Sequence, residues 1–422
     1  MSSAKWLAPT AGNFSAEVRL PGSKSLTNRE LVLSALAASP SVLVNPLISR
    51  DSELMIQALK NLGVEIEVQK DSIKIVPSPL TGNTRIDCGL AGTVMRFIPP
   101  VAALAKGAVE FDGDLQARLR PMGTTIDSLR KLGVKVESRE QSLPFTVHGT
   151  GMVNGGELVI DASKSSQFVS GLLLSAPRFQ NGLTLTHVGQ SVPSLPHIDM
   201  TLKCLRDRNV LAAARTETSW RVEPGEIAGI ELAIEPDLSN AGPFLAAALV
   251  TASQVRVGGW PDATTQVGDE FRKLLTLMGA EVSLSGSTLT ACGTGKILGI
   301  EADMSMAGEL VPTIAAVAAL ATTPTEITGI AHLRGHETDR IKALVTEINR
   351  IGGDARELED GIAISPAKLS GGLWHTYGDH RMATAGAIIG LKVPGIEIED
   401  IGVTSKTMPE FPSLWLNMLA GK

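Results

Sequence analysis

The sequence repeats one pattern six times, and this repeat restricts the fold more than any other feature. In each copy an amphipathic segment ends at a glycine or asparagine, and a short run of alternating polar and apolar residues follows. The six terminating residues lie 69 to 76 residues apart: Gly63, Gly133, Asn209, Gly279, Gly352 and Gly421. A glycine or asparagine just after a helix favours the left-handed conformation that ends it. The pattern therefore predicts six similar units of about 70 residues.

A second series of segments runs in phase with the first. Each is rich in alanine and leucine and follows a short polar signature, with markers 68 to 74 residues apart: Lys24, Gly92, Ser165, Ser239, Glu309 and Arg381. Because these segments are apolar nearly all round, they are expected to be buried helices inside the glycine-terminated ones. Each unit then contains a buried helix, strands, an outer helix and further strands. This order predicts an α/β fold.

Six such units favour two domains of three units each. The midpoint falls near Pro236, which predicts one domain at 22–236 and another at 237–422. The repeats alone leave the segment 1–21 free to join either domain. An elongated solenoid of stacked repeats is the alternative architecture. A shared cleft between two domains fits better, because all six polar signatures stand at the same end of their helices.

Composition and charge exclude several classes of protein. The 422 residues carry a net charge of −6, which argues against a nucleic-acid-binding protein with its usual basic excess. The three cysteines are widely spaced, and the histidine of HETDR lacks a second ligand, so neither disulfides nor a metal site is expected. The N-terminus lacks the apolar core of a signal peptide, and the longest apolar runs are too short to cross a bilayer. We therefore expect a soluble, cytoplasmic protein.

Cations and hydroxyl groups are concentrated at the predicted starts of the buried helices. A helix start exposes free N–H groups and the positive end of the helix dipole, so it attracts anions. The side chains that the signatures add there are Lys24, Ser25, Arg29, Ser165, Ser166, Gln167 and Arg381, beside the small Gly92. Turns contribute Arg120, Arg340 and Lys406. Singly, each could be a surface charge or a helix cap. Together, in an acidic chain, they predict a small polyanionic ligand held between the two domains.

Two carboxylates stand apart from these cations. Glu309 precedes a buried helix with Pro312 near its first turn, so it is either a partner of the helix dipole or a general base. Glu337 lies three residues before Arg340, and on a helix the two would share a face. A structural ion pair is the alternative role for Glu337.

Seven motifs identify the family that the sequence resembles: LPGSKSLTNR, AGTVMR, RLRPM, SSQF, HETDR, DHRMA and SKTMPEF. In this order, from about Leu20 to Pro412, they are similar to the motifs of the 5-enolpyruvylshikimate-3-phosphate (EPSP) synthases, or 3-phosphoshikimate 1-carboxyvinyltransferases. The resemblance implies a two-domain inside-out α/β barrel of six βαβαββ-type repeats, three per domain. It also implies that residues 1–21 join 237–422 and that the active site lies in the interdomain cleft.

The resemblance further implies a reaction. The enolpyruvyl group of phosphoenolpyruvate would pass to the 5-hydroxyl of shikimate 3-phosphate, giving 5-enolpyruvylshikimate 3-phosphate and phosphate. This is a step of the shikimate pathway to chorismate and the aromatic amino acids. Both substrates carry a phosphate and a carboxylate, which matches the anion load predicted from the helix starts. The reaction requires no cofactor, and the enzyme is expected to be a monomer without nucleic-acid or membrane partners.

Site residues follow by similarity. Phosphoenolpyruvate would be bound by Lys24, Gly92, Arg120, Gln167, Arg340, Arg381 and Lys406. Shikimate 3-phosphate would meet Lys24, Ser25 and Arg29 on its carboxylate side, Ser165, Ser166 and Ser194 at its phosphate with Gln167 nearby, and Glu309 and His336 at its hydroxyls. The general base for the 5-hydroxyl would be Glu309, and the methylene carbon would receive its proton from Glu337 or Lys24.

Several positions, including the following three, depart from the family's better-known members. Those members have aspartate at Glu309, asparagine at His332 and lysine at His336, so a fixed cation is replaced here by a group that titrates near neutrality. The alternative function is that of UDP-N-acetylglucosamine enolpyruvyl transferase, which shares the fold and the donor. Its usual loop cysteine is missing from DGDLQARLRP, and Lys24 is followed by Ser25 instead of asparagine.

Overall fold

The structure, a computed structural model, describes residues 5–421; residues 1–4 and 422 of the predicted second domain lie outside the described residues. The chain divides into two units, which we name by their place in the sequence. The central unit is Gly22–Ile234, and the outer unit consists of the residues up to Pro21 together with Glu235 onward. Each unit has its own hydrophobic core. Among residues 5–421, no helix combines the length and the apolar composition that crossing a bilayer requires.

The chain begins in the outer unit with two short strands, β1 (Trp6–Leu7) and β2 (Ser15–Val18). The helices of the central unit are α1 (Lys24–Ala35), α2 (Arg50–Asn61), α3 (Gly92–Ala103), α4 (Leu115–Arg118), α5 (Gly123–Lys131), α6 (Gln167–Ser175) and α7 (Pro196–Asp207). Its strands are β3 (Ser41–Val44), β4 (Glu65–Val68), β5 (Ser72–Val76), β6 (Thr84–Asp87), β7 (Lys106–Asp112), β8 (Lys135–Ser138), β9 (Phe145–Thr150), β10 (Gly156–Ile160), β11 (Leu183–His187), β12 (Ala212–Thr216), β13 (Ser219–Val222) and β14 (Glu231–Ala233).

The outer unit continues with the same alternation. Its helices are α8 (Leu238–Thr251), α9 (Phe271–Leu277), α10 (Val311–Ala318), α11 (Arg340–Arg350), α12 (His380–Gly390) and α13 (Phe411–Leu419). Its strands are β15 (Gln254–Gly258), β16 (Ala280–Ser285), β17 (Thr288–Gly293), β18 (Glu301–Asp303), β19 (Thr325–Thr328), β20 (Asp354–Glu357), β21 (Ile362–Ser365), β22 (Gly372–Trp374) and β23 (Ile396–Ile398).

These strands form five four-stranded sheets and one of three strands, with three sheets in each unit. Every four-stranded sheet has one parallel pair followed by two antiparallel pairs, as in the order β6-β7-β9-β8. A buried helix makes the crossover of most parallel pairs: α3 joins β6 to β7, and α6 joins β10 to β11. The shared pattern confirms the α/β fold that the repeats predicted.

Two strands pair with repeats that are distant in sequence. The strand before α1, β2, pairs in parallel with β15 of the outer unit, whereas the strand before α8, β14, pairs in parallel with β3 of the central unit. The described residues before α1 therefore complete sheets of the outer unit, with β1 pairing antiparallel to β23. The pairing of β14 also explains why the central unit ends at Ile234, two residues before the boundary predicted from the sequence.

In all six repeats, the amphipathic helix ends at a residue in the left-handed conformation. The terminating residues Gly63, Gly133, Asn209, Gly279, Gly352 and Gly421 have φ angles between 64° and 106°. Each follows the last residue of its helix by two positions, which is the place where a left-handed residue closes a helix. The prediction that these six glycine and asparagine residues end helices is confirmed.

Buried helices form the interior of each unit. In the central unit α1, α3 and α6 pack on one another, and in the outer unit α8, α10 and α12 do so. A Cβ atom at Gly171 of α6 would lie 2.2 Å from the carbonyl oxygen of Arg96 on α3, so only glycine permits this approach. Gly92 and Gln167, the first residues of the two helices, also meet. The two helices therefore run parallel with their starts side by side.

We predict that Gly171→Ala destabilises the protein. Helix propensity alone would stabilise it by about 1 kcal/mol, but the added methyl meets backbone, which should give a net loss of about 1–3 kcal/mol. The urea midpoint of unfolding measures this change. Gly225→Ala is the control, because a Cβ there meets nothing within 4 Å; it should stay within about 0.5 kcal/mol of the wild type. A stabilised Gly171→Ala variant would contradict the proposed contact.

Candidate active site

Gly92, at the start of α3, lies beneath an arginine and an amide. A Cβ at this position would be 2.9 Å from Oε1 of Gln167 and 3.1 Å from Nη2 of Arg120. Arg120 follows α4 and donates from Nη1 to the carbonyl oxygen of Leu90 at 3.2 Å. Nε of Arg120 and Oε1 of Gln167 are buried and have no protein hydrogen-bond partner. Buried polar atoms are normally paired, so these two indicate a place that a ligand or water completes.

Lys24 and Ser25 begin α1, beside α3. Ser23 caps this helix by accepting a hydrogen bond from the N–H of Leu26 at 3.5 Å. Nζ of Lys24 lies 3.3 Å from Oδ2 of the buried Asp51, with about a fifth of the lysine side chain exposed. Asn28, one turn further along, donates to Oγ1 of Thr93 at 2.8 Å. The start of α1 is thereby held against the first turn of α3.

Arg29 is a buried link between helices. It donates from Nε to Oγ1 of Thr201 at 2.8 Å and from Nη2 to the carbonyl oxygen of His197 at 2.9 Å. Nη1 donates to the carbonyl oxygen of Ser25 at 3.0 Å, and the guanidinium lies 5.3 Å from the centroid of the Phe97 ring. These contacts connect α1 with α3 and α7. The Arg29 side chain therefore holds the three helices together from a buried position.

Three serines stand before the next helices of the central unit. Oγ of Ser165 accepts from the N–H of Gln167 at 3.2 Å, and Ser166 is buried at the start of α6. Ser194 precedes α7 with a left-handed φ of 54°, which is uncommon for a residue other than glycine. Oγ of Ser163 donates to the carbonyl oxygen of Gln190 at 3.2 Å, which ties together the segments that lead into α6 and α7.

In the outer unit, three helix starts converge on Glu309. This residue lies in a 3₁₀ turn, Gly308–Leu310, directly before α10. Ser239, the second residue of α8, donates its hydroxyl hydrogen bond to Oε1 of Glu309. Arg381, the second residue of α12, places Nη2 at 4.0 Å from the same oxygen. Positive helix ends and a guanidinium favour the ionised carboxylate, the form that accepts a proton.

Glu337 joins two of the predicted cations. It precedes α11, which begins at Arg340 with Asp339 as its N-cap, so the two do not share a helix face as the spacing suggested. Nη2 of Arg340 nevertheless donates to Oε2 of Glu337 at 2.9 Å, and Nζ of Lys406 pairs with Oε1. Glu337 therefore forms an ion pair with Arg340 and also lies beside a second cation, Lys406.

Asp379, which was not among the predicted site residues, holds Arg340 and α12 together. Its Oδ2 accepts from Nε of Arg340 at 2.7 Å, and its Oδ1 accepts from the N–H of Arg381 at 2.8 Å as the N-cap of α12. Burial lowers the pKa of Arg340, but the charges of Asp379 and Glu337 outweigh it and leave that pKa raised, so the guanidinium stays charged. An aspartate just before an alanine-rich helix is a capping signal that would have found it.

Two histidines lie beside this network. Nδ1 of His336 is 3.0 Å from Nη1 of Arg340. Burial, followed by the charge of Arg340, lowers the pKa of His332 to about 4. The ring of His332 packs on Gly308, where a Cβ would lie 2.5 Å from Nε2. The ring of His332 is therefore neutral at neutral pH.

The two units therefore present different chemistry on similar scaffolds. The central unit collects Lys24, Arg120, Gln167 and the serines at helix starts, which suits phosphate and carboxylate groups. The outer unit adds two carboxylates to Arg340, Arg381 and Lys406. Cations stabilise charge on a leaving phosphate, and an ionised carboxylate removes a proton from a hydroxyl. Groups of these kinds are the ones that group transfer between small anionic substrates requires.

Comparisons with known proteins agree with the motifs. Residues 9–415 match the family model of EPSP synthase (3-phosphoshikimate 1-carboxyvinyltransferase). A 3-phosphoshikimate 1-carboxyvinyltransferase from Kocuria rhizophila is 53% identical over 431 aligned positions, which cover 99% of this chain and 97% of the relative.

Solved structures share the fold. EPSP synthase from Acinetobacter baumannii superposes with a TM-score of 0.78 at 24% identity, covering 98% of this chain and 97% of that one. The enolpyruvyl transferase NikO from Streptomyces tendae gives a TM-score of 0.77 at 15% identity, covering 100% and 98%. Together, the family model and the relative confirm the resemblance read from seven motifs: the chain belongs to the EPSP synthase family, the 3-phosphoshikimate 1-carboxyvinyltransferases.

Proposed function

We propose that this protein transfers the enolpyruvyl group of phosphoenolpyruvate to the 5-hydroxyl of shikimate 3-phosphate, using the residues at its helix starts. Family membership supplies the activity, which is a step of the shikimate pathway. The observation that carries the assignment of residues is the group formed by Gly92, Arg120 and Gln167. There, buried polar atoms without protein partners face the start of a helix.

In this proposal, phosphoenolpyruvate is bound by the cations that the family motifs assign to it and by the start of α3. Arg120 and Gln167 reach it over Gly92, where the missing side chain lets the ligand approach the N–H groups of α3. Lys24 contributes from α1. From the outer unit, the phosphate and carboxylate are met by Arg340, Arg381 and Lys406, two of which are guanidinium groups that pair with such oxygens in a bidentate way.

Shikimate 3-phosphate is bound mainly by the central unit. Ser25 and Lys24 contact its carboxylate side, and Arg29 supports them from its buried position behind α1. Ser165, Ser166 and Ser194 bind the phosphate through hydroxyl groups at the starts of α6 and α7, with Gln167 close by. Glu309 and His336 contact its hydroxyls.

The reaction is an addition followed by an elimination. Glu309 removes the proton of the 5-hydroxyl, and the oxygen of that hydroxyl attacks C2 of phosphoenolpyruvate. The methylene carbon receives a proton from Glu337 or Lys24. The tetrahedral intermediate then returns a proton from its methyl carbon to the group that supplied it, Glu337 or Lys24, and the C–O bond to phosphate breaks, which restores the double bond. The surrounding cations stabilise the charge on the departing phosphate. The residues alone complete these steps, so the proposal includes no cofactor.

We also propose that the enzyme is a cytoplasmic monomer. All three cysteines are free thiols, which suits a reducing compartment. Light scattering coupled to gel filtration checks the mass, and cell fractionation checks the compartment.

The assigned reaction is tested by phosphate release. We expect the purified protein to release phosphate when shikimate 3-phosphate and phosphoenolpyruvate are both present, and none when either is omitted. A parallel assay replaces shikimate 3-phosphate with UDP-N-acetylglucosamine. Turnover with the UDP-sugar and none with shikimate 3-phosphate would reject the assignment in favour of the alternative transferase.

The role of Glu309 is tested by Glu309→Ala. Removing the base should lower kcat by about 10²–10⁴-fold, as losses of general bases do, and should change the KM values for both substrates far less. Steady-state kinetics with each substrate varied in turn measures both. A large rise in KM with unchanged kcat would instead assign Glu309 to substrate binding.

The role of Arg120 is tested against its neighbour Arg118. Arg120→Ala should raise KM for phosphoenolpyruvate at least about tenfold, because a charged hydrogen bond contributes about 1.5–3 kcal/mol. Arg118→Ala is the matched control: its guanidinium pairs with Asp112 at 2.8 Å and is 43% exposed. The control should keep wild-type constants. Equal effects of the two substitutions would show that the loop, and not the Arg120 guanidinium, determines affinity.

A further inference from the structure

We propose that Ser239 is a positioning residue, which orients Glu309 so that this carboxylate can remove the proton of the acceptor hydroxyl. The inference rests on the proposed function of Glu309 and extends it to a residue that does not itself act on substrate. The contact that motivates it is the hydrogen bond from the Ser239 hydroxyl to Oε1 of Glu309.

The hydroxyl of Ser239 is not needed to cap its own helix. Asp237 is the N-cap of α8, and its Oδ1 accepts from the N–H of Asn240 at 3.0 Å. The N–H of Leu238 donates to Oε1 of Gln266 at 3.2 Å. With these donors of the first turn satisfied, a serine at the second position has no capping role. Its side chain is instead directed at the carboxylate of another helix start.

An ionised carboxylate is a hydrogen-bond acceptor only, so the Ser239 hydroxyl must donate to it. The bond therefore favours the ionised form of Glu309, which is the form that can accept a proton. Ser239 is 7% exposed, so its hydroxyl cannot turn freely into solvent. The direction of the bond follows from the helix that carries the serine, and α8 is buried along its whole length.

Glu309 needs such an anchor because its side chain has three rotatable bonds. Its side chain is about one-fifth exposed, and the residue lies in a 3₁₀ turn, not within an α-helix. Catalytic groups must be held to within about 0.5 Å of the productive position, by neighbours whose own conformations are fixed. A hydrogen bond from a buried helix meets that need, whereas attraction between charges has little directional preference.

The charged and titratable neighbours of Glu309 come from three further elements. Arg381 of α12 lies 4.0 Å away, and the buried Arg340 of α11 responds to the charge of Glu309. His332, in the 3₁₀ turn Ala331–Gly335, packs on Gly308 and is neutral at neutral pH. Both cations favour the ionised carboxylate, and Ser239 adds the directed bond.

The substitution Ser239→Ala tests the proposal. We expect kcat to fall about tenfold, as for the loss of one hydrogen bond to a charged group, with the KM values for both substrates within about twofold. The acid limb of the kcat/KM profile should move to higher pH, because the ionised carboxylate loses a donor. Ser239→Thr, which keeps the hydroxyl, should recover most of the rate. If the alanine variant does not fold, Ser239→Cys replaces it, since a thiol donates only weakly.

A double-mutant cycle separates positioning from general damage. In a Glu309→Ala background, Ser239→Ala should cause no further fall in kcat, because the group it positions is gone. Ser413→Ala is the matched control: this serine is also in the first turn of a helix, and it donates to the carbonyl oxygen of Glu410 at 2.8 Å. The control should keep the wild-type rate and pH profile.

The outcomes distinguish the two levels of the proposal. Equal losses of kcat from Ser239→Ala in both backgrounds, or an unchanged rate and acid limb in a folded Ser239→Ala variant, would overturn the positioning role. Failure of the proposed function has a different signature, since Glu309→Ala would then keep its turnover. Thermal melting of each variant confirms that the comparison is between folded proteins.

Discussion

The close parallel packing of the buried helices is the constraint on which the site depends. At Gly171 a helix meets the backbone of its neighbour so closely that no side chain fits. Parallel helices in register place their unsatisfied N–H groups and positive dipole ends side by side. Such an arrangement is electrostatically unfavourable unless an anion or a carboxylate lies beside the helix ends. The packing of the helices by itself therefore favours negative charge at these positions.

The two units differ in what can supply negative charge at their helix starts. In the central unit, small or hydroxyl-bearing residues line the helix starts, and Arg120 and Gln167 keep buried atoms without protein partners over Gly92. In the outer unit, the negative charge is supplied by the protein itself, through Glu309, Glu337 and Asp379. One scaffold thus offers both anion-binding positions and carboxylates held among cations. This division supports a reaction that needs substrate binding and proton transfer together.

Buried charge in the outer unit is organised as a network. Arg340 contacts Asp379, Glu337 and His336, and Asp379 also caps the helix that carries Arg381. Burying these groups singly would be costly, but each has hydrogen-bonded partners of opposite or complementary character. A change in one member would move the others, because they share atoms. This coupling explains how residues 39 positions apart in sequence, such as Arg340 and Asp379, come to define one local geometry.

Local sequence determined the repeat architecture of this protein. Helix ends at Gly63 or Asn209, the burial of apolar helices and the family motifs all depend on short-range pattern, so they were predictable. Only the tertiary structure decided that β2 and β14 complete sheets of distant repeats, that Arg29 links helices from behind, and that Ser239 meets Glu309. These contacts join residues far apart in the chain. Their energy comes from packing and paired charges that exist only once the helices have come together, so no local pattern encodes them.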